Sequence, residues 1–143
     1  EPAPVWLDVA REYTEQWMHQ AQIRDATGVA GIRERRLFAP VLETFIQALP
    51  RALRDVPAPD GTRLKVCITG EAGGTWAAVR SAGRWKLDPT DGRAATATAT
   101  LDQESAWRLW TRGFSPEEGA QVVRVTGDRE LAGAVRRMIA FIG

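Results

Sequence analysis

The sequence predicts an α+β fold in which a mixed or antiparallel sheet of about five strands packs against helices. Near both ends of the chain, apolar residues recur every three or four positions, which is typical of amphipathic helices. Between these regions, short segments rich in β-branched and aromatic residues alternate with glycine-containing turns, which is typical of strands. The chain of 143 residues is long enough for one hydrophobic core.

The first predicted element is a long helix from Pro4 to about Ala26. No glycine or proline interrupts it, and Gly28 suits the position just after its end. Its apolar residues recur at steps of three and four: Trp6, Val9, Tyr13, Trp17 and Ala21. At ~1.5 Å per residue the helix is about 35 Å long, which exceeds the needs of a small domain. We therefore expect it to pack against other helices.

A polar connection over residues 29–36 precedes a second predicted helix, which starts at Leu37 with Pro40 in its first turn. Pro50 is expected to end or kink that helix. Residues 56–61 are rich in proline, aspartate and glycine, and they predict a turn-rich linker.

Three short segments then predict an antiparallel meander: residues 63–69, 75–80 and 84–87. Residues 94–100 consist of alanine and threonine, which alternate strictly from Ala95 onward, and this pattern predicts a fourth strand. Its alanine face is expected to let another element pack closely on it.

Asp102 is the predicted N-cap of a helix that runs to Arg112 and ends at Gly113. Residues 115–119 predict a turn or a single helical turn, and residues 121–126 predict a fifth strand.

Asp128 is the predicted N-cap of a last helix. The apolar residues of this helix share one face: Leu131, Ala132, Val135, Met138, Ile139 and Ile142.

The composition excludes several classes of function. With 19 basic and 18 acidic residues, the chain offers no electrostatic case for nucleic acid or an anionic membrane as partner. One histidine and one cysteine exclude a zinc finger and an intrachain disulfide. No apolar run approaches the ~20 residues that span a bilayer, and a lone cysteine fits a reducing cytoplasm. Because the sequence begins at Glu1 rather than at methionine, we expect a processed or partial product.

Glu15 and His19 are the candidate metal ligands. They lie four residues apart on the first helix, so both side chains can reach one cation. A carboxylate and an imidazole suit a divalent metal, although at least one further protein ligand is needed. From the residues alone a second interpretation stays open, in which this is a solvated surface pair worth only ~0.3 kcal/mol.

The context of this pair carries a family resemblance. Glu15, Trp17 and His19 form a Glu-x-Trp-x-His pattern that is followed by a helix-ending Gly28. Near the other end, residues 107–113 (WRLWTRG) form a helix running into Arg-Gly, and residues 125–132 (VTGDRELA) form a strand, a Gly-Asp turn and a helix. All three segments resemble the mycothiol-dependent maleylpyruvate isomerase family.

The resemblance implies two parts. Residues 1–28 would be the last helix of a four-helix, DinB-like metal-binding bundle, and residues 29–143 a C-terminal α+β domain similar to the sterol carrier protein fold. Glu15 and His19 would then be two ligands of a divalent metal, zinc by preference. The family's third ligand is a histidine on an earlier bundle helix, and this chain has no second histidine. Mycothiol would be the thiol cofactor, in an actinobacterial, cytoplasmic enzyme.

The resemblance also implies that Arg112 is catalytic and cofactor-binding, reaching toward an anionic substrate or the thiol. A guanidinium group can bind a carboxylate through two hydrogen bonds. From the residues alone, a cation at a helix C-terminus equally complements the helix dipole. Thr111 stands where the family pattern more often has glycine, which is a departure from it.

Other candidate residues are assigned to the core. Cys67 lies mid-strand and is expected to be a buried small hydrophobe. The remaining tryptophans could line a ligand cavity, but at strand or helix spacing they are expected in the core: Trp76, Trp85, Trp107 and Trp110. The pair Arg136 and Arg137 is expected on a solvated face.

The sequence thus predicts the C-terminal part of a metal- and thiol-dependent isomerase or thiol transferase acting on a small unsaturated acid. The isolated chain is expected to be inactive, and its first helix to bind the missing bundle segment or a second copy. The alternative is a non-catalytic carrier module that holds a lipid or other small molecule in an apolar cavity between sheet and helices. Metal content discriminates between the two.

Overall fold

The computed structural model describes residues 4–88, 94–111 and 114–138. The helices in these ranges are α1 (Val5–Thr27), α2 (Arg35–Ile46), α3 (Leu49–Leu53), α4 (Gln103–Trp110), α5 (Pro116–Val122) and α6 (Arg129–Arg137). The strands are β1 (Arg63–Thr69), β2 (Gly74–Ser81), β3 (Arg84–Asp88), β4 (Ala97–Asp102) and β5 (Arg124–Gly127). The predicted α+β class is confirmed.

The strands form one mixed sheet in the order β3-β2-β1-β4-β5. β1 pairs with β2, and β2 with β3, in antiparallel fashion, so the predicted meander is confirmed. β4 runs parallel to β1, with Val66 opposite Ala99, and β5 is antiparallel to β4. Strands β3 and β4 follow one another in sequence, yet they lie on opposite sides of the β2-β1 pair.

The alternation in β4 assigns its two faces. Ala97 and Ala99 are buried, whereas Thr98 and Thr100 are only partly covered. Helices α4 and α6 pack against this strand. Because alanine has a single methyl group, the helices can approach the sheet closely, as the sequence predicted.

The core lies between this sheet face and the helices. Its largest fully buried side chains come from several helices and strands and from the residue after α6: Phe38, Val41, Leu42, Phe45, Ile46, Leu49, Leu53, Leu64, Val66, Trp110, Leu131 and Met138. Each such side chain contributes roughly 1.5–3 kcal/mol through burial. Trp85 and Trp107 are also buried, so the core assignment of the tryptophans holds except at Trp76, which is partly exposed.

Helix α1 packs on the domain through its second half. Its buried residues are Thr14, Trp17, Met18 and Ala21. The Trp17 ring stacks on Phe38 with centroids 4.5 Å apart and meets the edge of Trp107 at 5.8 Å. Gly28 ends the helix in the left-handed conformation, with φ of 70°, as predicted.

The second predicted helix is divided in two. α2 begins at Arg35, two residues earlier than predicted, so Pro40 lies in its second turn rather than its first. The helix ends at Ile46, and Pro50 stands in the first turn of the short helix α3. Proline is favoured there because the N–H that it lacks has no partner at that position.

The prediction for residues 115–126 was partly wrong. Ser115 and Glu118 form a capping box, in which each side chain binds the backbone N–H of the other residue. This cap starts a seven-residue helix that includes Gln121 and Val122, which the sequence placed in a strand. β5 is therefore shorter and begins at Arg124.

Cys67 is partly exposed, so its prediction as a buried hydrophobe was wrong. The register places it opposite Thr75 and Thr100, on the sheet face away from the helices. The buried positions of the same strand are its even-numbered neighbours, Val66 and Ile68.

Several sequence predictions fall on residues that the structure does not describe. Gly113, Ile139 and Ile142 lie outside the described ranges. Within those ranges, no helix combines the length and the apolar character that crossing a bilayer requires.

Candidate functional site

A cavity of about 690 Å³ that suits a ligand lies beside helices α4, α5 and α6. Local signals start each helix. Asp102 caps α4 by accepting a hydrogen bond from the Ser105 N–H, and Asp128 caps α6 in the same way at Leu131. The capping box of Ser115 starts α5. Three short helices therefore form the cavity. The carrier alternative predicted from the sequence had its cavity between the sheet and the helices instead.

The walls of the cavity are mostly apolar. They are formed by Leu109, Phe114, Pro116, Gly119, Ala120, Gly133 and Met138. Gly133 leaves part of the space open, because a Cβ atom placed there would approach only the Arg137 guanidinium, at 3.7 Å. A cavity of this size and lining can hold the apolar body of a small molecule.

The rim of the cavity is basic. Arg129, Arg136 and Arg137 line it together with one acidic residue, Glu130. Arg136 donates hydrogen bonds to the backbone carbonyls of Ala120 at 3.4 Å and Val123 at 3.2 Å. Arg129 and Arg137 make no hydrogen bond or ion pair with the residues that the structure describes. Their guanidinium groups can therefore turn toward an anionic group of a ligand.

This basic rim was not predicted from the sequence, in which Arg136 and Arg137 were expected only on a solvated face. The available signal is spacing. Arg129, Gly133 and Arg136 recur at steps of four and three, which places two cations and a gap in side-chain volume on one face of α6.

Glu15 and His19 lie on α1, on the side away from its buried residues, and both are exposed. Neither makes a hydrogen bond or ion pair with described residues, so their ligand atoms are available to a metal. Among the residues that the structure describes, no group of three or more histidine, cysteine, aspartate or glutamate side chains could hold a metal ion. The pair fits as part of a site, and the further ligand that the sequence analysis required is not among the described residues.

Arg112 lies outside the described residues. In sequence it stands between Leu109 and Phe114, which both line the cavity. Its predicted role therefore remains a prediction.

A network of charged side chains joins α1 to α4. Arg108 donates hydrogen bonds to both carboxylate oxygens of Asp25, at 2.7 and 2.9 Å. Arg33 pairs with Glu104, which also accepts a hydrogen bond from the Trp107 indole at 2.9 Å. Arg108 directly precedes Leu109, which lines the cavity, so the network and the cavity wall share helix α4.

The same contacts shift the pKa values of their members. The hydrogen bond from Arg108 holds the pKa of Asp25 below its usual range, and that bond also raises the pKa of Arg108. Burial lowers the pKa of Arg33. Stabilisation from Asp25 is thus present above the ordinary carboxyl pKa and is lost as pH falls through the lowered value. Because Asp25 is exposed, solvent screens this contribution.

A second cavity, of about 270 Å³, lies beside α2, β2 and β3 and is lined by Glu43, Gln47, Trp76, Ala77, Leu87 and Asp88. Of the four candidate tryptophans, Trp76 lines this second cavity.

Comparison with known proteins gives structural neighbours alone. No protein-family model and no curated protein matches the sequence. Sterol Carrier Protein 2 Like 2 from Aedes aegypti aligns with 13% identity over 68% of this chain and 95% of that chain, with a TM-score of 0.49. The UbiJ-SCP2 ubiquinone synthesis protein aligns with 17% identity over 73% and 90%, with a TM-score of 0.43. Apo Sterol Carrier Protein 2 from Yarrowia lipolytica aligns with 11% identity over 70% and 88%, with a TM-score of 0.44.

These neighbours are sterol carrier protein 2 domains, the fold that the sequence analysis expected for residues 29–143. At such identities and TM-scores the likeness does not extend to ligand or activity. The maleylpyruvate isomerase resemblance and the bundle remain predictions.

Proposed function

We propose that this chain is a small-molecule-binding module that takes up an amphipathic anion. The observation that carries the proposal is the cavity beside α4, α5 and α6, which combines apolar walls with a basic rim. The apolar part of the ligand would lie against Leu109, Phe114 and Met138. Its anionic group would lie at the rim, near Arg129 and Arg137.

The apolar walls and the basic rim of the cavity contribute differently to binding. Burial of an apolar body contributes roughly 25 cal/mol per Å² and supplies most of the affinity. The arginines lie at an exposed rim, so each contributes about 0.2–1 kcal/mol, which favours an anion over a neutral analogue without dominating the affinity. The module therefore selects first for apolar volume and second for negative charge.

We expect 8-anilinonaphthalene-1-sulfonate to bind the full 143-residue chain several-fold more tightly than N-phenyl-1-naphthylamine, which has the same aromatic body without the sulfonate. Titration of probe fluorescence measures both affinities. In the double variant Arg129→Gln/Arg137→Gln the two affinities should become equal. A neutral probe that binds wild type as tightly as the sulfonate contradicts the role of the rim.

Gly133 supplies the test of the cavity itself. Gly133→Phe should fill the space and weaken both probes at least tenfold, which corresponds to ~1.4 kcal/mol. Gly133→Ala is the matched control, because its methyl group meets only the Arg137 side chain. It should retain binding while stabilising α6 by about 0.5–1 kcal/mol. If Gly133→Phe folds and still binds both probes as wild type does, the cavity is not the binding site.

The finer proposal is that this module is the C-terminal part of a metal- and thiol-dependent isomerase or thiol transferase of the maleylpyruvate isomerase type. Glu15 and His19 support it, since both are exposed and one turn apart on α1. They would hold the metal, zinc by preference, with a further ligand from outside the described residues. The metal's chemistry would be to lower the pKa of a bound thiol, mycothiol in the family. Arg112 would bind the carboxylate of the substrate.

Metal content tests the finer proposal against the carrier alternative. We expect the product of the complete gene to hold about one divalent ion per chain and to lose it in Glu15→Ala and in His19→Ala, measured by elemental analysis. Gln16→Ala, on the same exposed part of α1, is the control and should retain the metal. If both ligand variants keep their metal, the enzyme proposal fails, and the carrier function remains with the probe-binding results unaffected.

A further inference from the structure

The cavity beside α2, β2 and β3, of about 270 Å³, has an acidic lining. Two of its described lining residues, Glu43 and Asp88, carry carboxylates, and none of the described lining residues is a lysine or an arginine. The cavity beside α4, α5 and α6 has arginines at its rim instead. No described residue lines both cavities, so both can be occupied at once. The acidic lining therefore suits a ligand of the opposite charge to the one proposed above.

Glu43 supplies most of the negative charge of this cavity. It is exposed in the last turn of α2, and its carboxylate makes no hydrogen bond or ion pair with the residues that the structure describes. The C-terminal end of a helix carries a partial negative charge, so a carboxylate there is unfavourable for the helix itself. The last turn of α2 contains no basic residue that would offset it. A cation in the cavity would be attracted by both the carboxylate and the helix end.

Asp88 adds less net charge, because Arg63 donates a hydrogen bond to its carboxylate at 2.7 Å. The cavity therefore suits a single positive charge. A divalent metal such as Ca²⁺ takes about 6–8 oxygen ligands, which far exceeds what these two carboxylates offer. No described group of three or more histidine, cysteine, aspartate or glutamate side chains could hold a metal ion here or elsewhere in the described ranges.

The remaining walls favour a cation that carries alkyl groups. Trp76 lies opposite Val66 in the sheet register, and Leu87 lies opposite Ala78. Because Val66 and Ala78 are buried, both wall residues belong to the sheet face that the helices cover. An indole ring attracts a cation that lies within about 6 Å of its centre. The Trp76 indole makes no hydrogen bond or cation–π contact with described residues, so its ring is available to a ligand.

We propose that the cavity beside α2, β2 and β3 binds a small organic ammonium ion. The charged nitrogen would lie between the Glu43 carboxylate and the Trp76 indole, with its alkyl groups against Leu87. The cavity is slightly smaller than the roughly 300–1,000 Å³ that is usual for ligand pockets, so the ligand is small. Gln47, one helical turn after Glu43, can bind a hydroxyl group of the same ligand through its amide.

Choline and its uncharged carbon analogue, 3,3-dimethylbutanol, test the proposal because they share one shape and differ in the charged nitrogen. NMR titration of the full 143-residue chain, followed at the Trp76 indole N–H and the Gln47 backbone N–H, measures both affinities. We expect choline to bind at least fivefold more tightly, and this preference to shrink as salt rises, because the exposed carboxylate is screened. Saturation with 8-anilinonaphthalene-1-sulfonate should leave the choline affinity unchanged. Equal binding of choline and the alcohol, or displacement of choline by the sulfonate, overturns the proposal.

Two variants assign the contributions of the carboxylate and the ring. Glu43→Gln keeps the size of the side chain and should weaken choline at least threefold without changing the affinity for the alcohol. Glu12→Gln, the same change at an exposed position on α1, is the matched control and should leave both affinities unchanged. Trp76→Leu keeps an apolar wall without the ring and should weaken choline at least fivefold, measured at the Gln47 N–H.

Circular dichroism checks that the variants fold. If Trp76→Leu does not fold, Glu43→Gln decides by itself, because it alters only an exposed side chain. Wild-type affinity for choline in Glu43→Gln overturns the proposal. Calcium that displaces choline at equal concentration also overturns it, since the cavity would then be a site for an inorganic cation.

Discussion

We expect Trp110→Ala to lower the free energy of unfolding by about 4 kcal/mol. The Trp110 side chain is fully buried, its indole N–H donates to the Val135 carbonyl at 3.0 Å, and its ring meets the edge of Phe45 at 5.9 Å. Truncation would leave a large void and an unsatisfied carbonyl between α4 and α6. Urea denaturation followed by circular dichroism measures the loss.

Two further substitutions separate the contribution of the indole hydrogen bond from that of side-chain burial. Trp110→Phe keeps much of the ring volume but loses the N–H, so we expect an intermediate cost of about 2 kcal/mol. Trp6→Ala removes the same side chain at a 57% exposed position and should change stability by less than about 0.5 kcal/mol. A Trp110→Ala variant whose stability stays close to that of wild type would contradict the packing described between α4 and α6.

Local signals in the sequence were sufficient for most of the elements. Three helix ends could be predicted because the residues that form them act on backbone groups nearby in sequence. Asp102 and Asp128 each accept a hydrogen bond from a backbone N–H in the first turn of a helix, and Gly28 ends α1 in the left-handed conformation. The alternation of alanine and threonine likewise predicted, from neighbouring residues alone, which face of β4 is buried. The parallel pairing of β4 with β1 joins residues over thirty positions apart, which no local pattern specifies.

Helix α1 shows where periodicity alone is insufficient. One apolar stripe was predicted to include Trp6, Val9, Trp17 and Ala21. The structure buries Trp17 and Ala21 and exposes Trp6 and Val9, because the domain covers only the second half of the helix. A repeat of three and four residues predicts that a helix has an apolar side, but it does not predict how far along the helix a neighbour extends.

The candidate site was the least predictable part. The cavity is formed by three helices that are separate in sequence, and its arginines lack a motif beyond their spacing on α6. Glu15 and His19 could be selected because both lie on one helix, yet a complete metal site needs a residue that is distant in sequence. Sequence patterns therefore suggested ligands one helix at a time and missed the cavity that several helices form together.

Gly127→Ala should also destabilise the fold strongly, by about 3 kcal/mol, through backbone strain and a steric clash together. Gly127 has a φ of 80°, which costs an L-residue with a Cβ about 1–2 kcal/mol. The added Cβ would also lie 2.4 Å from the Thr96 carbonyl oxygen and 3.0 Å from the Cα of Ala97, so β5 would have to move away from β4. Overpacking of this kind adds about 1–3 kcal/mol.

Gly83→Ala provides the matched control, because Gly83 has a φ of 74° but a Cβ atom added there would have no neighbouring atom within 4 Å. Gly83→Ala should therefore lower the free energy of unfolding only by the backbone strain of a left-handed residue with a Cβ, about 1–2 kcal/mol. The difference between the two variants, measured by urea denaturation, thus isolates the contact between β5 and β4. Since Asp128, the next residue, caps α6, we also expect Gly127→Ala to weaken sulfonate-probe binding, while Gly83→Ala leaves it intact. Equal losses of stability in the two variants would show that β5 yields without cost, and that the position of α6 beside the cavity does not depend on this strand.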